Sequence, residues 1–156
     1  MTFAIIFIIF GAFYITFEVF FNALILGFNK NKSLIGTSSI YMFLDGGLVG
    51  IFISLLYLIP IFQTLKFVWL FCLLGGVIIT SIELLSGLFL NKVFKLKIWD
   101  YSSFKFNLFG QIELFHSIGW TLLSIIIFFI ISGFRFFIPD NITVIDFIIQ
   151  FLGSLK

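Results

Sequence analysis

Four apolar stretches, each about as long as a bilayer is thick, leave this chain few ways to fold. A helix crossing the hydrocarbon core needs about 20 mostly apolar residues, and such runs occupy about 2–28, 39–60, 67–90 and 111–132. In lipid every backbone N–H and C=O must bond within its own segment, so each run is read as a helix. Of 156 residues, 62% are hydrophobic and 10% charged, whereas a soluble domain covers itself with roughly 25% charged residues. This surface must therefore face something apolar. The expected fold is an all-α polytopic membrane protein, a bundle of four transmembrane helices forming one domain over 1–156, plus a C-terminal helix.

The connections differ in character. The first, 29–38, carries Lys30 and Lys32; the second, Ile61 to about Lys66, is short and makes spans two and three antiparallel neighbours; the third, 91–110, carries Lys92, Lys95, Lys97 and Lys105 against Asp100. With four spans the first and third connections share one side, and the excess of lysine there places both in the cytoplasm. After Pro139, Asp140 or Asn141 is a candidate cap for a helix over about 142–155, where Thr143, Asp146, Gln150 and Ser154 recur against an apolar face. That segment is short for a span and reads as an amphipathic or interfacial helix. The first run lacks the positive leader and small-residue cleavage site of a signal peptide, and reads as a permanent span.

Phe is abundant, at 26 residues, as AT-rich coding also favours. The lone Cys72 has neither a disulfide partner nor a cluster of metal ligands, and reads as a packing residue.

Acids inside a membrane span are costly, and by default they mark function. Glu18, Asp45, Glu83 and Glu113 fall within or at the ends of the runs, and His116 lies one turn beyond Glu113, on the same helical face. Glu18 and Glu83 sit at similar depths in spans one and three, each followed by a lysine-bearing connection, which suggests two repeated hairpins. On the functional reading, Glu18, Glu83, Glu113 and His116 bind a cation, a proton or a polar substrate. On the structural reading they bond to groups such as Asn22, Ser81, Ser86 and Trp120 and fix the packing. Gly46 and Gly50 have the small-xxx-small spacing of close helix packing. In the third connection Trp99 and Tyr101 suit the headgroup level and the lysines suit anionic lipid. The chain shows no nucleotide-binding glycine loop, metal-ligand cluster or nucleophile–base spacing. No cofactor, metal, nucleic acid or enzymatic activity is expected.

Trp99-Asp100-Tyr101-Ser102, followed by Asn107-Leu108-Phe109-Gly110-Gln111-Ile112-Glu113-Leu114 and Trp120, resembles the putative ABC-transporter type IV permease family, small four-span membrane proteins that include a eukaryotic branch. Phe17-Glu18-Val19 and Gly36-Thr37-Ser38-Ser39-Ile40-Tyr41-Met42-Phe43 extend the resemblance toward the N-terminus. Leu44-Asp45-Gly46-Gly47 departs from the Pro-Ile-Tyr-Gly found there in the family, so Asp45 inherits no role. The resemblance implies a transport component in a bacterial cytoplasmic membrane, working as a homo- or hetero-oligomer with a separate ATPase subunit. The alternative is a structural or accessory membrane protein.

Overall fold

The computed structural model describes residues 2–29 and 34–133; Lys30, Lys32 and the helix expected over 142–155 lie outside them. The described residues form helices α1 (Thr2–Asn29), α2 (Ile40–Tyr57), α3 (Val68–Gly87) and α4 (Leu114–Gly133), with a two-stranded ladder of β1 (Asn107–Leu108) and β2 (Ile112–Glu113) before α4. Four segments are long and apolar enough to cross a membrane: Phe3–Leu24, Ile40–Tyr57, Leu65–Val93 and Leu114–Gly133. The chain is thus an all-α integral membrane protein. It divides into two compact units, Met1–Ile51 and Phe52–Lys156.

In the first unit α1 and the start of α2 touch at backbone distance. A Cβ on Gly46 would lie 2.4 Å from Tyr14 Cβ, and one on Gly50 would lie 2.4 Å from Phe10 Cβ. Lipid tails are as apolar as the side chains, so close van der Waals packing of this kind is what holds helices together in a membrane.

In the second unit α3 lays one face on α4. Cys72, Gly76, Ile79, Glu83 and Gly87 recur every three or four residues on the buried side, while Trp69, Leu73 and Val77, four residues apart, and Leu85, eight residues on, form an exposed apolar stripe. Small residues meet small residues at the seam: a Cβ on Gly75 would lie 2.7 Å from Ser124 Oγ, and one on Gly76 would lie 2.0 Å from Thr121 Oγ1. At one end of the pair Tyr57, Phe62, Phe71 and Phe128 stack edge-to-face at ring separations of 5.3–6.1 Å.

Two boundaries differ from the hydropathy reading. The helix of span three does not stop at Leu90 but widens into a π-helical segment, Leu88–Val93, with Asn91 buried inside it. Helix α4 starts at Leu114 rather than Gln111, because Ile112 and Glu113 pair with β1. Apolar residues in a short strand and in a buried helix look alike to a hydropathy window.

Candidate functional site

Glu83 is buried on the α4-facing side of α3, inside the span. Each carboxylate oxygen accepts from an aromatic donor on a different element. Tyr101 Oη in the loop donates to Oε1 at 3.0 Å, and Trp120 Nε1 on α4 donates to Oε2 at 2.7 Å.

Tyr101 reaches Glu83 because its loop is tied at several points. Asn91 accepts from the backbone N–H of Ile98 at 2.6 Å through Oδ1, and its Nδ2 donates to Trp99 O at 3.0 Å and to Gln111 Oε1 at 2.9 Å. The Trp99 indole N–H donates to Gln111 O at 2.9 Å. Trp99 and Tyr101, whose residue types suit the headgroup level, thus spend their polar groups inside the protein. Asp100 Oδ1 accepts from Ser102 N at 2.8 Å in an Asx turn, and Asn107 Oδ1 accepts from Gly110 N at 2.9 Å. Phe109 and Gly110 both have positive φ, 54° and 71°, the pattern of a primed hairpin turn. A Cβ on Gly110 would also lie 3.1 Å from Asp100 Oδ1. The Ser102 backbone N–H is the main reason that Asp100 is held below the usual carboxylate range, with Lys92 and Lys97 adding to it.

Glu113 lies one residue before the fourth span and is only 2% exposed. It caps α4: Oε1 accepts from Phe115 N at 2.9 Å and Oε2 from His116 N at 3.0 Å, satisfying two of the helix's orphan donors. His116 Nδ1 lies 2.7 Å from Oε2. Burial pushes the Glu113 carboxyl up, but these hydrogen bonds outweigh it and hold the group below the ordinary carboxylate range. The His116 ring lies 4.7 Å from that of Tyr101 and edge-on to Phe104 at 5.6 Å. The structure therefore brings Glu83 and His116 against Tyr101, with Glu113 joined to His116.

Glu18 is placed in the first unit, where it accepts from Ser38 Oγ, and Asn22 Nδ2 donates to Thr37 O at 3.0 Å. An acid late in α1 and an acid late in α3 thus each bond a hydroxyl in the connection that follows, Ser38 for Glu18 and Tyr101 for Glu83. Asp45 is buried near the start of α2. Of the donors suggested by sequence, Trp120 bonds Glu83, whereas Ser81 and Ser86 bond back to their own helix at Val77 O and Ile82 O. Asn91 and Gln111 were not singled out by sequence; their one local signal is being polar at the two ends of the lysine-bearing connection. Among the described residues no group of three or more His, Cys, Asp or Glu side chains is placed to hold a metal ion. A carboxylate held by a phenol and an indole inside a span can take up a proton, or exchange either donor for a cation or polar solute.

The sequence model of one family, described as Putative ABC-transporter type IV, matches residues 5–152, and the chain belongs to that family. No curated protein and no solved structure matches it.

Proposed function

Starting from that membership, we propose that the chain is a non-enzymatic membrane subunit of a transport system, an ABC-type permease component with Glu83 on the solute or proton pathway. The observation that carries this reading is the Glu83 carboxylate itself, placed inside a membrane span and shared between Tyr101 of the loop and Trp120 of α4. An ionisable group at such depth is costly to insert and is a pathway group by default. Glu113 and His116 support it by fixing the start of α4 and the ring of Tyr101, and Glu18 with Ser38 is the counterpart in the first unit. The energy comes from an ATPase subunit of the same system, a reading supported by the family's description as an ABC transporter. The working unit is an oligomer, in a bacterial cytoplasmic membrane with both lysine-bearing connections on the cytoplasmic side.

A second reading has its own observation. The same bonds, with Asn91 and Gln111, tie the loop to both helices, as an accessory protein with purely structural acids would need. Substituting Glu83→Gln in a host lacking the native copy separates the two. The transport reading expects the protein to accumulate folded at the wild-type level while the phenotype of the deletion persists. Rescue of the phenotype by Glu83→Gln would remove Glu83 from the pathway.

A further inference from the structure

The loop that delivers Tyr101 inward has a second, outward side. Lys92, Lys95, Lys97 and Lys105 are all exposed, and so are Phe94, Phe104 and Phe106 beside them. Across 92–110 these four lysines face one acid, Asp100, whose carboxylate is committed to the turn at Ser102.

This side is not a slack segment awaiting collapse. Lys95 and Lys97 hold left-handed backbone conformations, φ 57° and 54°, that glycine adopts freely and a lysine does not. Strain of this kind persists only where the surroundings over-determine it. Here they do, through Asn91 on Ile98 N and Trp99 O, Leu96 N on Leu90 O, and Tyr101 N on Gly110 O. Two lysines thus stand where glycine would be easier, and Phe94 and Phe106 are each more than half exposed. The loop also begins at Val93 and ends at Leu114, the termini of two membrane-crossing segments, which fixes it at the level where headgroups begin.

We propose that this face docks on the anionic phospholipid of the surrounding bilayer, the four lysines meeting headgroup phosphates and Phe94 and Phe106 entering the acyl boundary. Ammonium groups at a membrane surface are drawn to anionic lipid, and aromatic side chains set among them add burial that a purely electrostatic contact lacks. An acidic protein partner would satisfy the lysines, but the continuity with two span ends favours lipid.

The test is a titration of the purified protein in zwitterionic detergent with phosphatidylglycerol or phosphatidylcholine, reading lipid retained per protein and the unfolding temperature. The wild type should retain phosphatidylglycerol with a preference on the order of tenfold, falling with added salt. Replacing all four lysines by arginine should keep the preference. Lys95→Gly with Lys97→Gly, which suits the backbone, should keep the unfolding temperature in phosphatidylcholine and lower the preference several-fold. Equal retention of the two lipids by the wild type overturns the proposal, as does a preference that survives changing all four lysines to glutamine. It is equally overturned if the glutamine variant keeps its lipid but loses a co-purifying acidic protein.

Discussion

Trp120 Nε1 donates to Glu83 Oε2 at 2.7 Å across the α3–α4 seam, joining residues 37 apart in sequence. Together with Tyr101 Oη on the other oxygen, it turns a costly intramembrane acid into the point where two helices and a loop meet. Removing either donor takes one hydrogen bond from that carboxylate. Trp120→Phe should cost about 1–2 kcal/mol and Tyr101→Phe about 1 kcal/mol or less. Denaturant titration in mild detergent measures both, and the double variant should depart from additivity because the two donors share one acceptor.

The seam itself sets the next expectation. Gly75→Ala drives a methyl to 2.7 Å from Ser124 Oγ, and should destabilise by about 1–3 kcal/mol through overpacking. Adding Ser124→Gly should recover much of that loss. Gly119→Ala, with nothing within 4 Å, should instead stabilise α4 by about 0.5–1 kcal/mol. Thermal unfolding of the three variants reads the contrast.

Sequence hydropathy located the four membrane-crossing segments because lipid demands long apolar runs, a local property. It placed Glu83 and Trp120 within those runs and named the indole as one candidate partner for the acids. It did not find Tyr101 as a donor to Glu83, since the phenol arrives through a loop whose shape depends on Asn91, Gln111 and Gly110 together. Nor did it separate Ile112 and Glu113 from the helix they feed, because hydropathy does not register a two-residue ladder or a Glu cap. The matching depths of Glu18 and Glu83 suggest two repeated hairpins, whereas the two compact units divide within α2, after Ile51. The hydroxyl partners of the two acids, Ser38 and Tyr101, are of different residue types and gave no repeat signal.

The cap at Glu113 makes stability depend on acid. Its folded-state pKa lies below the ordinary carboxylate value of 4.5, so its contribution is fully present above that pH and is lost as pH falls through the depressed folded value. Asp100, also depressed, acts in the same direction. Unfolding followed between pH 6 and pH 3 should show wild-type stability falling at the acid end, with a shallower fall in Glu113→Gln. An equal fall in the variant would show that other groups carry the dependence.

Gly110→Ala places a side chain at a φ of +71° and 3.1 Å from Asp100 Oδ1. A left-handed non-glycine residue costs about 1–2 kcal/mol, and this cost falls on the turn that accepts Tyr101 N. Hydrogen exchange should report faster opening over 99–111 while α3 keeps its protection. Unchanged exchange in the loop would mean that the turn does not hold Tyr101 in place.

The central claim is that this chain is the membrane subunit of an ATP-linked transport system. Its most direct test is affinity purification of the tagged chain from its native host in mild detergent, with every co-purifying protein quantified. The account predicts an ATPase at a fixed stoichiometry to the chain, retained when Glu83 is changed to Gln. Recovery of the chain alone, or with membrane proteins that include no nucleotide hydrolase, would contradict it.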